Sequence, residues 1–166
     1  MRVYVELLAA FFSADLAQER RERLVNSAKG RTDDDSIAIR MSHSEWILAT
    51  RQRFALTGQW RALFDDIDVI LCPAMPTPAF AHDHAPIDER MLDIDGRTVP
   101  YGDQIAWATI AILNGLPATT LPIGRTSDGL PIGAQIVGGF LQDRTTIALA
   151  ELIEREFGGF TPPPNL

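Results

Sequence analysis

The chain has 166 residues, 46% of them hydrophobic and 22% charged, with a formal net charge of −7. That balance excludes a disordered chain and suits one globular domain over residues 1–166. It also argues against a nucleic-acid partner, which would want a basic face to meet phosphate.

Residues 1–30 are predicted to form a helix. Tyr4, Leu8, Phe11, Phe12 and Leu16 fall at three- and four-residue spacings and so share one stripe. Past Ala17 the pattern turns charged, and Gly30 is the expected stop. The start carries charge where a signal peptide needs an apolar core, and no small-residue cleavage site follows Phe12, so none is expected. No run approaches the ~20 apolar residues of a membrane helix, and no membrane partner is expected. Residues 31–36 are polar and read as a loop.

Ser42-His43-Ser44-Glu45 has capping-box spacing and opens a second helix. Behind it Trp46, Ala49, Arg53, Leu56, Trp60 and Leu63 recur at steps of three and four, with Arg53 placed at the stripe's edge or paired with an acid. Residues 67–72 are a short β-branched run ended by Pro73, the pattern of a buried strand. The lone cysteine, Cys72, cannot form an internal disulfide. That fits a reducing compartment, and the cytoplasm is the expected location.

Residues 73–100 form a long connection with five prolines, and loops of such length are often functional. Within it, two short runs flank Asp95-Gly96, a good hairpin turn because both positions want positive φ. Residues 101–113 read as a helix stopped near Gly115. Residues 117–123 and 132–137 read as strands, and a last helix runs from an Asp143 N-cap to Phe157. Strands alternating with helices argue for an α/β layered fold.

The chain is poor in hydrolytic chemistry, which needs a nucleophile, a base and oxyanion donors. It has no Gly-x-Ser-x-Gly, no Gly-Ser-Ser-Gly and no adjacent serines, and its one lysine, Lys29, reads as a surface charge. His82-Asp83-His84 lacks further ligands at metal spacing, so an ordinary polar loop and no metal are expected. Asp93-Ile94-Asp95-Gly96 opens like a calcium loop, but Gln104 falls near the place of the closing glutamate. Cys72 has no adjacent activating group and reads as inert, and Asp65, Asp66 and Asp68 read as a solvated turn.

One pattern is more specific. Asn114-Gly115-Leu116-Pro117-Ala118, Pro122-Ile123-Gly124, and Gly129-Leu130-Pro131-Ile132-Gly133-Ala134-Gln135-Ile136-Val137-Gly138 follow in order. Two Gly-Leu-Pro units at this separation, with the glutamine, resemble the C-terminal hallmark of amidase-signature enzymes. Residues 68–78 resemble the family's strand and proline loop, and residues 143–152 its final helix. Asn114 stands where the hallmark has alanine, and Asp103 falls about a turn out of step with an aspartate that some amidotransferase-like members carry. Gln135, in an apolar strand, is expected to hydrogen-bond backbone across the sheet.

The resemblance implies a partial α/β/α sandwich with a mixed sheet and helices on both faces, the C-terminal portion of the amidase-signature fold. It implies hydrolysis of the carbon–nitrogen bond of carboxamides by a Ser–cis-Ser–Lys triad, without a cofactor. The triad lies in the N-terminal part of family enzymes and no position here matches it, so this chain is expected to have no catalytic residue and to be inactive alone. Its expected contribution is pocket wall: Met75 and Thr77 from the proline loop, Trp107 and Ile110 from the following helix. For Trp107 and Ile110 the alternative is an ordinary core role. A small-molecule amide is then bound only together with an N-terminal amidase half. An uncovered sheet edge and apolar surface would favour self-association. A non-catalytic interaction domain derived from an amidase is the alternative. A free-standing hydrolase using Cys72 or the His82/His84 pair is the remaining reading.

Overall fold

The computed structural model describes residues 2–27, 36 and 39–162, the side chain of Asp88 excepted. Lys29, Gly30, residues 31–35 of the loop predicted at 31–36, and the C-terminal residues 163–166 lie outside the described residues. Two compact units share the chain, Met1–Gln59 and Trp60–Leu166.

In the first unit, α1 (Arg2–Ala14) and α2 (Gln18–Ser27) replace the single helix expected over residues 1–30. Ser13 and Asp15 explain the break, since short polar side chains compete for backbone partners. The Ser13 hydroxyl donates to the Ala10 carbonyl at 2.8 Å, and α2 begins with Arg20 and Arg21 donating to Ala17 O. The apolar stripe is also only partly covered. Tyr4 is buried, but Phe11 and Phe12 are 67% and 62% exposed and meet edge to face. Glu6 is buried instead, its carboxylate accepting from Arg2 Nε one turn earlier at 2.7 Å.

The predicted capping box opens α3 (His43–Leu63). The Ser42 N–H and hydroxyl both donate to Glu45 Oε2 at 2.7 Å, and the Glu45 N–H donates back to Ser42 Oγ at 3.3 Å. Those bonds hold the Glu45 carboxyl below its ordinary pKa, the Ser42 N–H contributing most. Along α3, Ala49 is buried, Leu56 and Trp60 are half-buried, and Trp46 is exposed. Arg53 is exposed, with its guanidinium 5.7 Å from the Phe54 ring centre.

The second unit is built on β1 (Val69–Pro73), followed by the hairpin of β2 (Met91–Ile94) and β3 (Arg97–Pro100). Asp95 and Gly96 both take positive φ, 53° and 74°, as the hairpin turn requires. A 3₁₀ turn (Tyr101–Ile105) then precedes α4 (Ala108–Asn114), where one continuous helix was expected. Next come β4 (Ala118–Arg125), β5 (Pro131–Gly138) and α5 (Asp143–Phe157). Asp143 is the first residue of α5, and the cap position falls on Gln142.

The main sheet has the order β1-β5-β4. The α/β class stands, and all strand pairs among the described residues are antiparallel. The short link between β4 and β5, closed by Thr126 N–H on Leu130 O at 2.8 Å, permits no other arrangement of that pair. Helices cover both faces. On one, Cys72, Val137, Ala111 and Leu116 form a buried cluster against which Trp60, Phe64 and Ile70 pack. On the other, Leu121, Ala134 and Ile136 pack with Leu149, Ala150 and Ile153 of α5. Successive β5 residues therefore serve opposite cores, as strand geometry dictates. Ile136 and Val137 are fully buried, each contributing roughly 1.5–3 kcal/mol of apolar transfer.

Candidate functional site

The first Gly-Leu-Pro unit is a helix stop that delivers the chain into the sheet. Gly115 adopts the left-handed conformation (φ 64°, ψ 36°) after α4. Its N–H reaches Ile112 O, and Leu116 N–H reaches Ala111 O at 3.0 Å, the Schellman pattern. Leu116 is buried with Ala111, the apolar contact that accompanies this motif. Asn114, the departure from the hallmark, is buried, and its amide donates to Ile110 O at 2.9 Å. The second unit sits where β5 begins. A side chain at Gly133 would meet Leu121 O at 3.2 Å, which explains a glycine there.

The proline loop leaves β1 directly after Cys72. Thr77 is half-buried, and its hydroxyl donates to Gln104 Oε1 at 3.2 Å, tying the loop to the 3₁₀ turn ahead of α4. Met75 is 48% exposed and lies outside the buried cluster. Trp107 and Ile110 are half-buried and pack against Cys72, Ala111, Leu116 and Val137. The structure thus joins Thr77 to the approach to α4, and joins Trp107 to Ile110 through one core.

Gln135 holds the same region from beneath. Its Nε2 donates to the Trp107 carbonyl at 3.0 Å and to Cys72 Sγ at 3.4 Å. The expected backbone partner is therefore found at the start of α4, not across the sheet. The reason is that β5 is the central strand: its own backbone already pairs with β1 and β4, so a side chain on its face reaches the layer above.

The other candidates disperse. Cys72 is a buried free thiol beside Gln135. The His82 and His84 rings lie 6.2 Å apart on an exposed loop, while Asp83 accepts the Ala85 N–H at 2.9 Å in a local turn. Among the described residues no three His, Cys, Asp or Glu side chains group to hold a metal. Asp93 accepts the Gly96 N–H at 2.9 Å, so it serves the hairpin. Asp103 is exposed on the 3₁₀ turn, and Asp65, Asp66 and Asp68 are exposed after α3. Among the described residues no helix is long and apolar enough to cross a membrane.

A separate apolar groove of about 920 Å³ opens beside the end of α5, lined by Leu71, Pro122, Ile123, Ile153, Phe157 and Phe160. Four of these six, Leu71, Ile123, Phe157 and Phe160, are exposed large hydrophobics. Sequence reading missed Gln104, because nothing in its neighbourhood distinguishes it from a surface glutamine.

A family model described as Amidase matches residues 7–147. The chain belongs to the amidase family. It is 37% identical over 121 residues to a glutamyl-tRNA(Gln) amidotransferase subunit from Zymomonas mobilis, covering 72% of this chain and 22% of that protein. It is 34% identical over 113 residues to fatty-acid amide hydrolase 2-A of Danio rerio, covering 68% of this chain and 19% of that one. A crystal structure of an amidase shares its fold with a TM-score of 0.69 at 22% identity, over 94% of this chain and 35% of that one. This amidase chain therefore spans about a fifth of the length of the curated relatives it matches.

Proposed function

We propose that this chain is the C-terminal portion of an amidase that hydrolyses carboxamide carbon–nitrogen bonds only when joined by an N-terminal segment carrying nucleophile and base. The observation that carries this reading is the family match over residues 7–147 in a chain spanning about a fifth of its relatives. The sequence also has no adjacent serines and only Lys29 as a lysine. In this reading the chain supplies wall and not chemistry. Met75 and Thr77 line one side of the amide channel, Trp107 and Ile110 the other, and no cofactor takes part. Small amides bind the joined protein, in the cytoplasm, with neither nucleic acid nor membrane as partner. The exposed apolar groove beside α5 supports a need for a complement, since large contiguous apolar surface is uncommon on monomers.

The test is amide hydrolysis across simple aliphatic and aromatic amides, with the chain alone and mixed with a separately expressed amidase N-terminal segment from the same source. Activity in the mixture only is expected. Activity of the chain alone would overturn the division of labour, and silence in both would favour a non-catalytic interaction domain derived from an amidase. In an active mixture, Trp107→Ala is expected to alter substrate preference. Unchanged preference would leave Trp107 with its core role alone.

A further inference from the structure

Gln104 is a buried amide with only one of its two polar atoms in use. It is 4% exposed. Its Oε1 accepts from Thr77, while its enclosed Nε2 meets no acceptor among the described residues. An unpaired buried donor destabilises a fold, so an apolar side chain of similar volume would serve packing at least as well. What the glutamine adds at position 104 is the bond to Thr77. That bond joins segments 27 positions apart, the proline loop and the turn leading into Trp107. Gln135 makes the corresponding link at the loop's root, through Cys72 Sγ and the Trp107 carbonyl. The loop is therefore tied to the approach to α4 at two points, on opposite sides of Pro73.

We propose that Gln104 is a positioning residue: by holding Thr77 it sets the distance between the proline loop and Trp107, and with it the width of the amide channel. This rests on the amidase reading, which assigns the two sides to that channel. Gln104 performs no chemical step. Releasing Thr77 loosens one wall, so discrimination between bulky and small amides changes while the reacting groups, carried elsewhere, do not.

The test has two arms. In the full 166-residue chain labelled with ¹³C-methyl methionine, Gln104→Leu and Thr77→Val are each expected to shift or broaden the Met75 methyl signal. Met41 and Met91 should stay unmoved, and Thr77→Ser, which keeps the hydroxyl, should retain the wild-type spectrum. The melting temperature of Gln104→Leu should stay within about 3 °C of wild type, whereas a merely structural glutamine would lower it further. An unmoved Met75 signal in both variants overturns the clasp, and Thr77→Val carries this arm if Gln104→Leu does not fold. In the mixture with the N-terminal segment, Gln104→Leu is expected to change the ratio of kcat/KM for bulky aromatic over small aliphatic amides by about fivefold or more, chiefly through KM. An unchanged ratio in an active mixture overturns the channel role. A silent wild-type mixture refutes the amidase reading instead, and the methyl arm then decides the clasp alone.

Discussion

Gly138 closes β5 where α5 crosses it, and Gly138→Ala tests how tightly that crossing is packed. A Cβ at this position would lie 2.7 Å from Thr146 Cγ2 and 3.5 Å from the Gln142 carbonyl. Thr146 is 1% exposed. Its hydroxyl accepts from the Thr119 hydroxyl at 2.8 Å and donates to the Asp143 carbonyl at 2.8 Å. If the backbone moves to admit the methyl, overpacking costs roughly 1–3 kcal/mol. If Thr146 rotates instead, two hydrogen bonds are lost at about 0.5–1.5 kcal/mol each. The two routes agree. A chain of this size loses roughly 2–4 °C per kcal/mol, so the expected drop is about 2–12 °C. Thermal denaturation followed by circular dichroism reads it. Gly58→Ala is the control: nothing lies within 4 Å of its Cβ, and it sits inside α3, so a gain of about 0.5–1 kcal/mol is expected. Thr146→Ser removes the clashing methyl and keeps the hydroxyl, so the double variant should show favourable coupling. A Gly138→Ala chain melting at the wild-type temperature, or one that Thr146→Ser does not relieve, would refute the reasoning.

Gln135→Leu should destabilise the second unit by about 1–3 kcal/mol in urea titration, since the Trp107 carbonyl loses its buried donor; it should also speed labelling of Cys72 by a thiol reagent. Ser42→Ala removes the cap of α3 and should lower helical content, at about 0.5–2 kcal/mol. Glu45 has a folded pKa below its unfolded value, so its contribution to α3 is fully present above the unfolded value. That contribution is lost as pH falls through the folded value. An acid titration followed at 222 nm should show this loss in wild type and not in Glu45→Gln. Sedimentation velocity should show self-association of the chain, reduced by Phe157→Ser with Phe160→Ser, which break the exposed apolar lining of the groove beside α5.

What could be read from the sequence was local chemistry. Ser42 and Glu45 cap α3 through bonds spanning three residues, and Asp95-Gly96 turns the hairpin by its own backbone preference. Gly115 ends α4 for the same kind of reason. Errors arose where the deciding partner is distant or subtle. The interruption at Asp15 and the splitting of 101–113 into a 3₁₀ turn and α4 leave little mark on apolar spacing. The partner of Gln135 depends on which layer lies over the central strand, and no spacing within residues 131–138 encodes it. Gln104 is buried by its tertiary neighbours alone. At the candidate wall, the residue types were legible, but the bonds that position them were not.

The sheet edges bear on how a complement would attach. Ala74 N–H reaches Gly133 O, and Gly138 N–H reaches Pro117 O. Since alternate residues of an antiparallel strand turn toward the partner, the β1 and β4 registers place Val69, Leu71 and Pro73 outward on one edge. They place Ala118, Thr120 and Pro122 outward on the other. Both prolines thus fall at outward positions, where a missing N–H breaks no ladder bond. They also remove one donor from each edge, leaving two outward N–H groups and three outward carbonyls, with a bulge following Pro122 on β4. The exposed side chains of Leu71, Ile123, Phe157 and Phe160 place apolar surface around one groove, so any complement seated there would add buried area to whatever an edge pairing gives.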